Sequence, residues 1–161
     1  MSKIRKALIS VSNKENLKSL VNTLLKYKIE IISSGGTFKE IKKLGFKSTE
    51  VSKFTETPEI LDGRVKTIHP KIFGGILNKR ASKKHYKDIK ENDIENIDLV
   101  IVNFYPFEKI SSSATSHKKI MENIDIGGPS IVRAAAKNYN DVAVICNTNQ
   151  YEKFIDEIKK K

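Results

Sequence analysis

Apolar positions along the chain alternate between short continuous runs and helical stripes. Lys6–Val11 (KALISV) reads as a buried strand. Ser12 and Glu15 form an S-x-x-E capping box that predicts a helix directly behind them. In it Leu17, Leu20, Val21, Leu24 and Leu25 recur at i, i+3, i+4, i+7 and i+8, one apolar face. A second apolar run over 29–33 ends in Ser34-Gly35-Gly36. Thr37 with Glu40 makes a second capping box, and the helix behind it turns Phe38, Ile41 and Leu44 inward before Gly45, the residue type that closes helices. A third strand is predicted over 46–51. The β-α-β-α-β order calls for a parallel sheet.

The middle is less regular. Residues 57–63 mix turn formers with a helical stretch, 72–77 are apolar but broken by two glycines, and 83–95 predict a polar surface helix. Order returns with a buried strand over 98–103. A helix opening at Pro129 runs to about Asn140, packing through Ile131, Val132, Ala135 and Ala136. A last strand over 141–146 precedes a helix that carries Tyr151, Phe154, Ile155 and Ile158 behind an Asn149…Glu152 capping pair. The whole predicts one α/β domain, three layers deep, with a mostly parallel sheet between helices.

Composition narrows the class. The 161 residues are 39% hydrophobic and 30% charged, which excludes collagen-like, disordered and membrane-spanning chains. No apolar run approaches the ~20 residues needed to span a bilayer, and the first apolar run is too short for a secretion signal. The single cysteine, Cys146, cannot form an internal disulfide, which fits a soluble cytoplasmic protein, and it reads as a small hydrophobe inside the last strand. Thirty Lys+Arg against nineteen Asp+Glu give a net charge of +11. Only four are arginines (Arg5, Arg64, Arg80, Arg133), the lysines are scattered, and no nucleic-acid motif accompanies them. The charge therefore reads as a lysine-rich surface that attracts small anions, with no specific nucleic-acid partner.

Ligands of open parallel sheets sit at the carboxyl ends of the strands, and the polar clusters fall there. Two of them, 10–14 and 34–37, place hydroxyls at helix N-termini, where free N–H groups favour an anion. Gly35 and Gly36 let the backbone approach closely, and Lys14 and Arg64 add charge. The spacing is not that of a Walker A loop. The plain alternative is that Ser12 and Thr37 only cap their helices. Asp125 similarly precedes a helix, either as a reacting carboxylate or as a charge complementing the dipole. Arg133 and Lys137, four apart, set two cations side by side, although a solvent-facing lysine near a helix end is the commoner arrangement. His69, His85 and His117 lack metal-ligand spacing, so no metal is assigned, and His69 reads as structural or ligand-positioning.

Five motifs together carry a resemblance. They are Ser-Val-Ser-x-Lys at 10–14, Ser-Gly-Gly-Thr at 34–37, Gly-Arg-Val-Lys-Thr-x-His-Pro at 63–70, Asn-x-Tyr-Pro-Phe at 103–107, and Ile-Asp-Ile-Gly-Gly…Arg-Ala-Ala-Ala-Lys-Asn at 124–138. In order and spacing they resemble the inosine monophosphate (IMP) cyclohydrolase domain that opens the bifunctional proteins of purine biosynthesis. The resemblance implies a methylglyoxal-synthase-like fold that closes the purine ring of formylated aminoimidazole carboxamide ribotide (formyl-AICAR), giving IMP and water. It implies no cofactor for that step, 10-formyltetrahydrofolate belonging to a transformylase half that this chain lacks. It also implies a homodimer for the full-length protein.

By position, Ser12, Asn13, Lys14, Ser34, Gly35, Gly36 and Thr37 would hold the nucleotide, above all its phosphate. Arg64, Val65, Lys66, Thr67, Val102, Asn103, Asp125, Ile126 and Gly127 would line the site. The resemblance makes Lys137 the proton donor and acceptor, with Lys66, Tyr105 and Asp125 assisting. Eight residue steps from Pro129 to Lys137 span about 12 Å of helix, so Asp125 and Lys137 are expected not to pair directly. The family's domain extends past residue 161, which predicts a truncated C-terminus. Two rival readings on the same scaffold are methylglyoxal synthase and a non-catalytic, nucleotide-binding regulatory module.

Overall fold

Continuous apolar strands are stable only when both faces are covered, and here they are. The computed structural model describes residues 4–104, 107–113 and 116–160. Strands β1 (Lys6–Val11), β2 (Glu30–Ser33), β3 (Thr49–Glu50), β4 (Leu99–Asn103) and β5 (Ala143–Ile145) form one parallel sheet in the order β3-β2-β1-β4-β5. The register pairs Ala7 with both Ile31 and Leu99.

Because side chains alternate across a strand, β1 sends Ala7, Ile9 and Val11 to one face and Leu8 to the other. The first face is covered by α1 (Leu17–Lys26), α2 (Gly35–Lys43) and α9 (Tyr151–Lys159). The second is covered by α3 (Val51–Thr55), α4 (Pro70–Leu77) and α8 (Gly127–Lys137). Between α4 and α8 in the chain run α5 (Lys83–Glu91), α6 (Phe107–Ser113) and α7 (His117–Glu122). The three-layer α/β architecture expected from the hydrophobic pattern is the one observed. Each fully buried Leu or Ile in these layers contributes about 1.5–3 kcal/mol.

Two polar anchors tie the second layer. Asn138, just past α8, donates from Nδ2 to the carbonyls of Ile76 (2.8 Å) and Asn78 (2.9 Å), binding the C-terminal ends of α8 and α4 together. Arg80 donates to the carbonyls of Asn78, Gly75 and Ile97.

Several expectations are corrected at element ends. Ser12 and Glu15 cap nothing: α1 starts at Leu17 behind Asn16, which is left-handed (φ 58°), and residues 12–16 form a loop. Thr37 lies inside α2, which opens at Gly35. Its hydroxyl accepts from the Val11 N–H (2.9 Å) and donates to the Val11 carbonyl (3.1 Å), so it fastens α2 to the end of β1 instead of capping. The third strand shrinks to two residues because Val51 already begins α3. The polar surface helix ends at Glu91, four residues short of the expected limit, and the strand expected over 141–146 forms only at Ala143–Ile145. Cys146 sits past β5 and is half-exposed, with its thiol pKa raised by partial burial. The capping box ahead of α9 joins Asn147 to Gln150, two residues earlier than expected. In α8 the buried face is Ile131, Ala134 and Ala135, with Ala136 exposed. Gly45 does close α2: at φ 82° it lets its own N–H reach the Lys42 carbonyl and the Phe46 N–H reach that of Ile41, a Schellman motif.

Candidate functional site

In the order β3-β2-β1-β4-β5 the connections leave β1 in one direction and β4 in the other. The crevice where ligands bind in such sheets therefore opens beyond the C-terminal ends of β1 and β4. Asn103, the last residue of β4, spans that crevice. Its Oδ1 accepts from the N–H groups of Ser12 (2.7 Å) and Asn13 (2.8 Å), and its Nδ2 donates to the Asn13 carbonyl (2.9 Å). One side-chain amide thus shapes the whole turn leaving β1. Asn13 adds an Asx turn by accepting from the Glu15 N–H.

Next to it lies the turn leaving β2. Ser34 is buried, its hydroxyl 3.4 Å from that of Ser10, and Gly35 takes φ +48° to start α2. Gly35 is needed for its backbone angle, and the lysine heads lie close to both glycines. A Cβ on Gly35 would stand 3.6 Å from the Lys66 ammonium, and one on Gly36 would stand 3.9 Å from that of Lys14. Lys14 itself donates to the carbonyls of Val11 and Ser12, folding back over the loop. Two lysine heads therefore flank the N-terminus of α2, where free N–H groups already favour negative charge.

The 64–67 segment continues the ring. Lys66 and Val65 are half-buried and Thr67 is buried. The Thr67 hydroxyl lies 2.7 Å from where a Gly127 Cβ would be, so the start of α8 touches this segment. Asp125 is half-buried and accepts from the Gly128 N–H (2.9 Å), the helix-start role that is one of the two its position allows. A Cβ on Gly128 would collide with the Asp125 carboxylate, so glycine there keeps the acid in place. Ile126, the N-cap of α8, is exposed.

Three of the expected site residues have surroundings of their own. Arg64 is committed to a carboxylate, pairing with Glu122 of α7. The hydrogen bond and charge of Arg64 hold the Glu122 carboxyl below the usual carboxylate range, and Arg64 is raised in return. Val102 is 1% exposed and packed in the core, leaving only its backbone to a ligand. Lys137 is exposed at the last turn of α8, and because that helix begins at Gly127, ten residue steps put about 15 Å between its ends. Asp125 stands beside the start of α8 and Lys137 at its far end, and no direct bond joins the two among the described residues. Tyr105 lies outside the described residues. His69 is structural, since its Nδ1 accepts from the Lys71 N–H and caps α4. Among the described residues no group of three or more His, Cys, Asp or Glu is placed to hold a metal, and no helix is long and apolar enough to cross a membrane.

Sequence reasoning missed the Glu122 partner of Arg64 and the clamp that Asn103 makes. Only the position of Asn103 at the end of a predicted strand pointed to the latter.

Comparison with known proteins agrees with this geometry. The MGS-like domain model matches residues 16–130. The bifunctional purine biosynthesis protein PurH of Prochlorococcus marinus (strain MIT 9515) is 52% identical over 155 residues, covering 96% of this chain and 30% of that protein. Its counterpart from P. marinus subsp. pastoris (strain CCMP1986 / NIES-2087 / MED4) is 50% identical over the same length. The chain thus spans about 30% of the length of the curated relatives it matches. The crystal structure of ForH superposes with a TM-score of 0.84 at 27% identity, covering 98% of this chain and 81% of that one. The resemblance read from the five motifs is found again as overall similarity. The chain belongs to the MGS-like domain family.

Proposed function

We propose that this chain is an IMP cyclohydrolase domain acting in purine biosynthesis, closing the ring of formyl-AICAR with loss of water. The observation that carries the reading is the convergence of the 12–14, 34–37, 64–67 and 125–127 turns on one crevice, with Lys14 and Lys66 beside the glycines that open α2. Similarity to proteins named for purine biosynthesis supports it.

In this reading the substrate's phosphate takes the N-terminus of α2, held by Ser12, Ser34 and Lys14 around Gly35 and Gly36, while Thr37 fastens that turn to β1. The base lies toward Asp125, Ile126 and Gly127. Ring closure joins the carboxamide nitrogen to the formamide carbon, passes through a tetrahedral adduct and expels that carbon's oxygen as water. Both partners are poor reactants, so holding them in contact is the first contribution, as effective molarity. The Lys66 ammonium stabilises the adduct's oxygen, with the Tyr105 hydroxyl as a second donor. Asp125 takes the N–H proton, and an acid must protonate the departing hydroxyl so that it leaves as water. The chemistry assigned here uses no cofactor. Partners are mononucleotides, and the proposed setting is the cytoplasm, with a homodimer as the full-length assembly.

Lys137 is the assignment that the fold strains. It stands at the far end of α8, about 15 Å of helix from the end that carries Asp125. Lys137→Ala is therefore expected to leave IMP affinity within about twofold of the parent, as for a surface residue outside the site. Isothermal titration measures this, and a tenfold loss would put the lysine in the binding crevice.

The deciding experiment supplies formyl-AICAR to the chain and follows IMP by its ultraviolet absorbance. IMP formation above the uncatalysed rate is expected. Binding of IMP without turnover would favour the regulatory module. Because methylglyoxal synthases share the family's scaffold, dihydroxyacetone phosphate is the matching control, and no methylglyoxal is expected from it.

A further inference from the structure

The helical stripe marks Tyr151, at the start of α9, only as an apolar position. Its side chain is 1% exposed and belongs to the packed cluster that contains Val11, Leu17 and Ile101. Val11 ends β1, Leu17 opens α1, and Ile101 lies two residues before Asn103. The phenol ring is therefore packed into the same core layer as the residues that end β1, open α1 and precede Asn103. Its hydroxyl is fully buried, and among the described residues it has no hydrogen-bond partner of good geometry. Burial pushes the phenol pKa up, and the neighbouring Asn103 amide pulls it back part of the way.

The orientation of Asn103 follows from its own bonds. Two backbone N–H groups point at one end of the amide, so that end is the oxygen. Of the two protons on Nδ2, one goes to the Asn13 carbonyl. The second has no other acceptor among the described residues. A spare donor thus stands beside an orphan acceptor. We propose that Tyr151 is a positioning residue for the mononucleotide site: its hydroxyl accepts the second Nδ2 proton and holds fixed the amide that anchors Ser12 and Asn13. The proposal rests on the reading that the 12–14 turn grips a nucleotide.

The test is Tyr151→Phe in the whole chain, which removes one oxygen and keeps the ring that packs in the core. Amide hydrogen exchange at Ser12 and Asn13 reports the anchor without any ligand. It is expected to quicken about fivefold, the scale on which contacting polar groups couple. IMP affinity is expected to fall by a similar factor, while the melting temperature stays level or rises. In an Asn103→Ala background the same substitution is expected to change neither quantity further. Unchanged exchange in Tyr151→Phe, with a raised melting temperature, would mean that the hydroxyl is only an unpaired group in the core, and the proposal would fall. Faster exchange in a chain that binds no IMP would uphold the positioning and remove the nucleotide reading alone.

Discussion

Alanine at Lys66 is expected to slow ring closure by about 10²–10³-fold, equivalent to about 2.7–4 kcal/mol of lost transition-state stabilisation. The same change is expected to weaken IMP binding by about tenfold or less, as the loss of one charged contact does. What sets Lys66 apart is that, of the cations near the crevice, it is free to work. Arg64 is already neutralised by Glu122, and Lys14 folds back onto the carbonyls of Val11 and Ser12. Lys66 has no carboxylate within salt-bridge distance among the described residues. Its ammonium stands between Gly35 and Gly63, and the next residue, Thr67, meets the start of α8 beside Asp125. In the proposed reaction it is the cation whose removal leaves the reacting oxygen without a charged donor. Steady-state rates with formyl-AICAR, together with IMP titration, separate the two effects. A rate within a few-fold of the parent would show that Lys66 only binds, and the division of labour among the lysines would need redrawing.

The same crevice shows where sequence reasoning is strong and where it stops. β1, β4 and the apolar face of α1 were legible because burial on both faces of a parallel sheet demands continuous apolar runs, and a covering helix demands a 3.6-residue stripe. Gly45 was legible because only a residue at ease with positive φ closes α2 that way. The starts of α1 and α2 were not. The hydroxyl and acid patterns at 12–15 and 37–40 look locally like capping boxes, but tertiary partners compete for the same groups. Asn103, 91 residues from Ser12, takes the Ser12 N–H, and Val11 takes the Thr37 hydroxyl. Such long-range pairing leaves no local pattern. The position of Lys137 was half-legible: helix arithmetic already kept it from Asp125, and the earlier start at Gly127 lengthens the gap. What no pattern held was the pairing of Arg64 with Glu122 and the buried hydroxyl of Tyr151, since each depends on which surfaces the fold presses together.

The two glycines that interrupt the 72–77 run look alike in the sequence and are expected to behave differently. In a free helix alanine is about 1 kcal/mol better than glycine, so both Gly74→Ala and Gly75→Ala start with a gain. At Gly74 the new methyl would meet the Cδ1 of Ile94 at 2.8 Å, the free end of a half-buried side chain that can swing aside. At Gly75 it would come within 2.5 Å of the Glu95 carbonyl oxygen, and within 3.2 and 3.3 Å of Ile97 Cγ1 and Cδ1. That carbonyl is backbone and cannot rotate away. Nor can α4 slide off freely, because the Gly75 carbonyl accepts from the Ile97 N–H (3.0 Å), Asn78 Nδ2 (3.1 Å) and Arg80 Nη2 (3.2 Å). The clash therefore outweighs the propensity gain, and Gly75→Ala is expected to destabilise by about 2 kcal/mol, within the overpacking range. At this chain length that lowers the melting temperature by about 4–8 °C. Gly74→Ala is expected to melt within about 2 °C of the parent on the same scale. Because α4 starts at Pro70, three residues after Thr67, its displacement also shifts the Lys66 segment, so the Gly75 variant should lose IMP affinity where the Gly74 variant keeps it. Equal melting temperatures for the two would mean that α4 does not press on the 94–97 segment, and the second layer would then not be what sets Lys66 against the crevice.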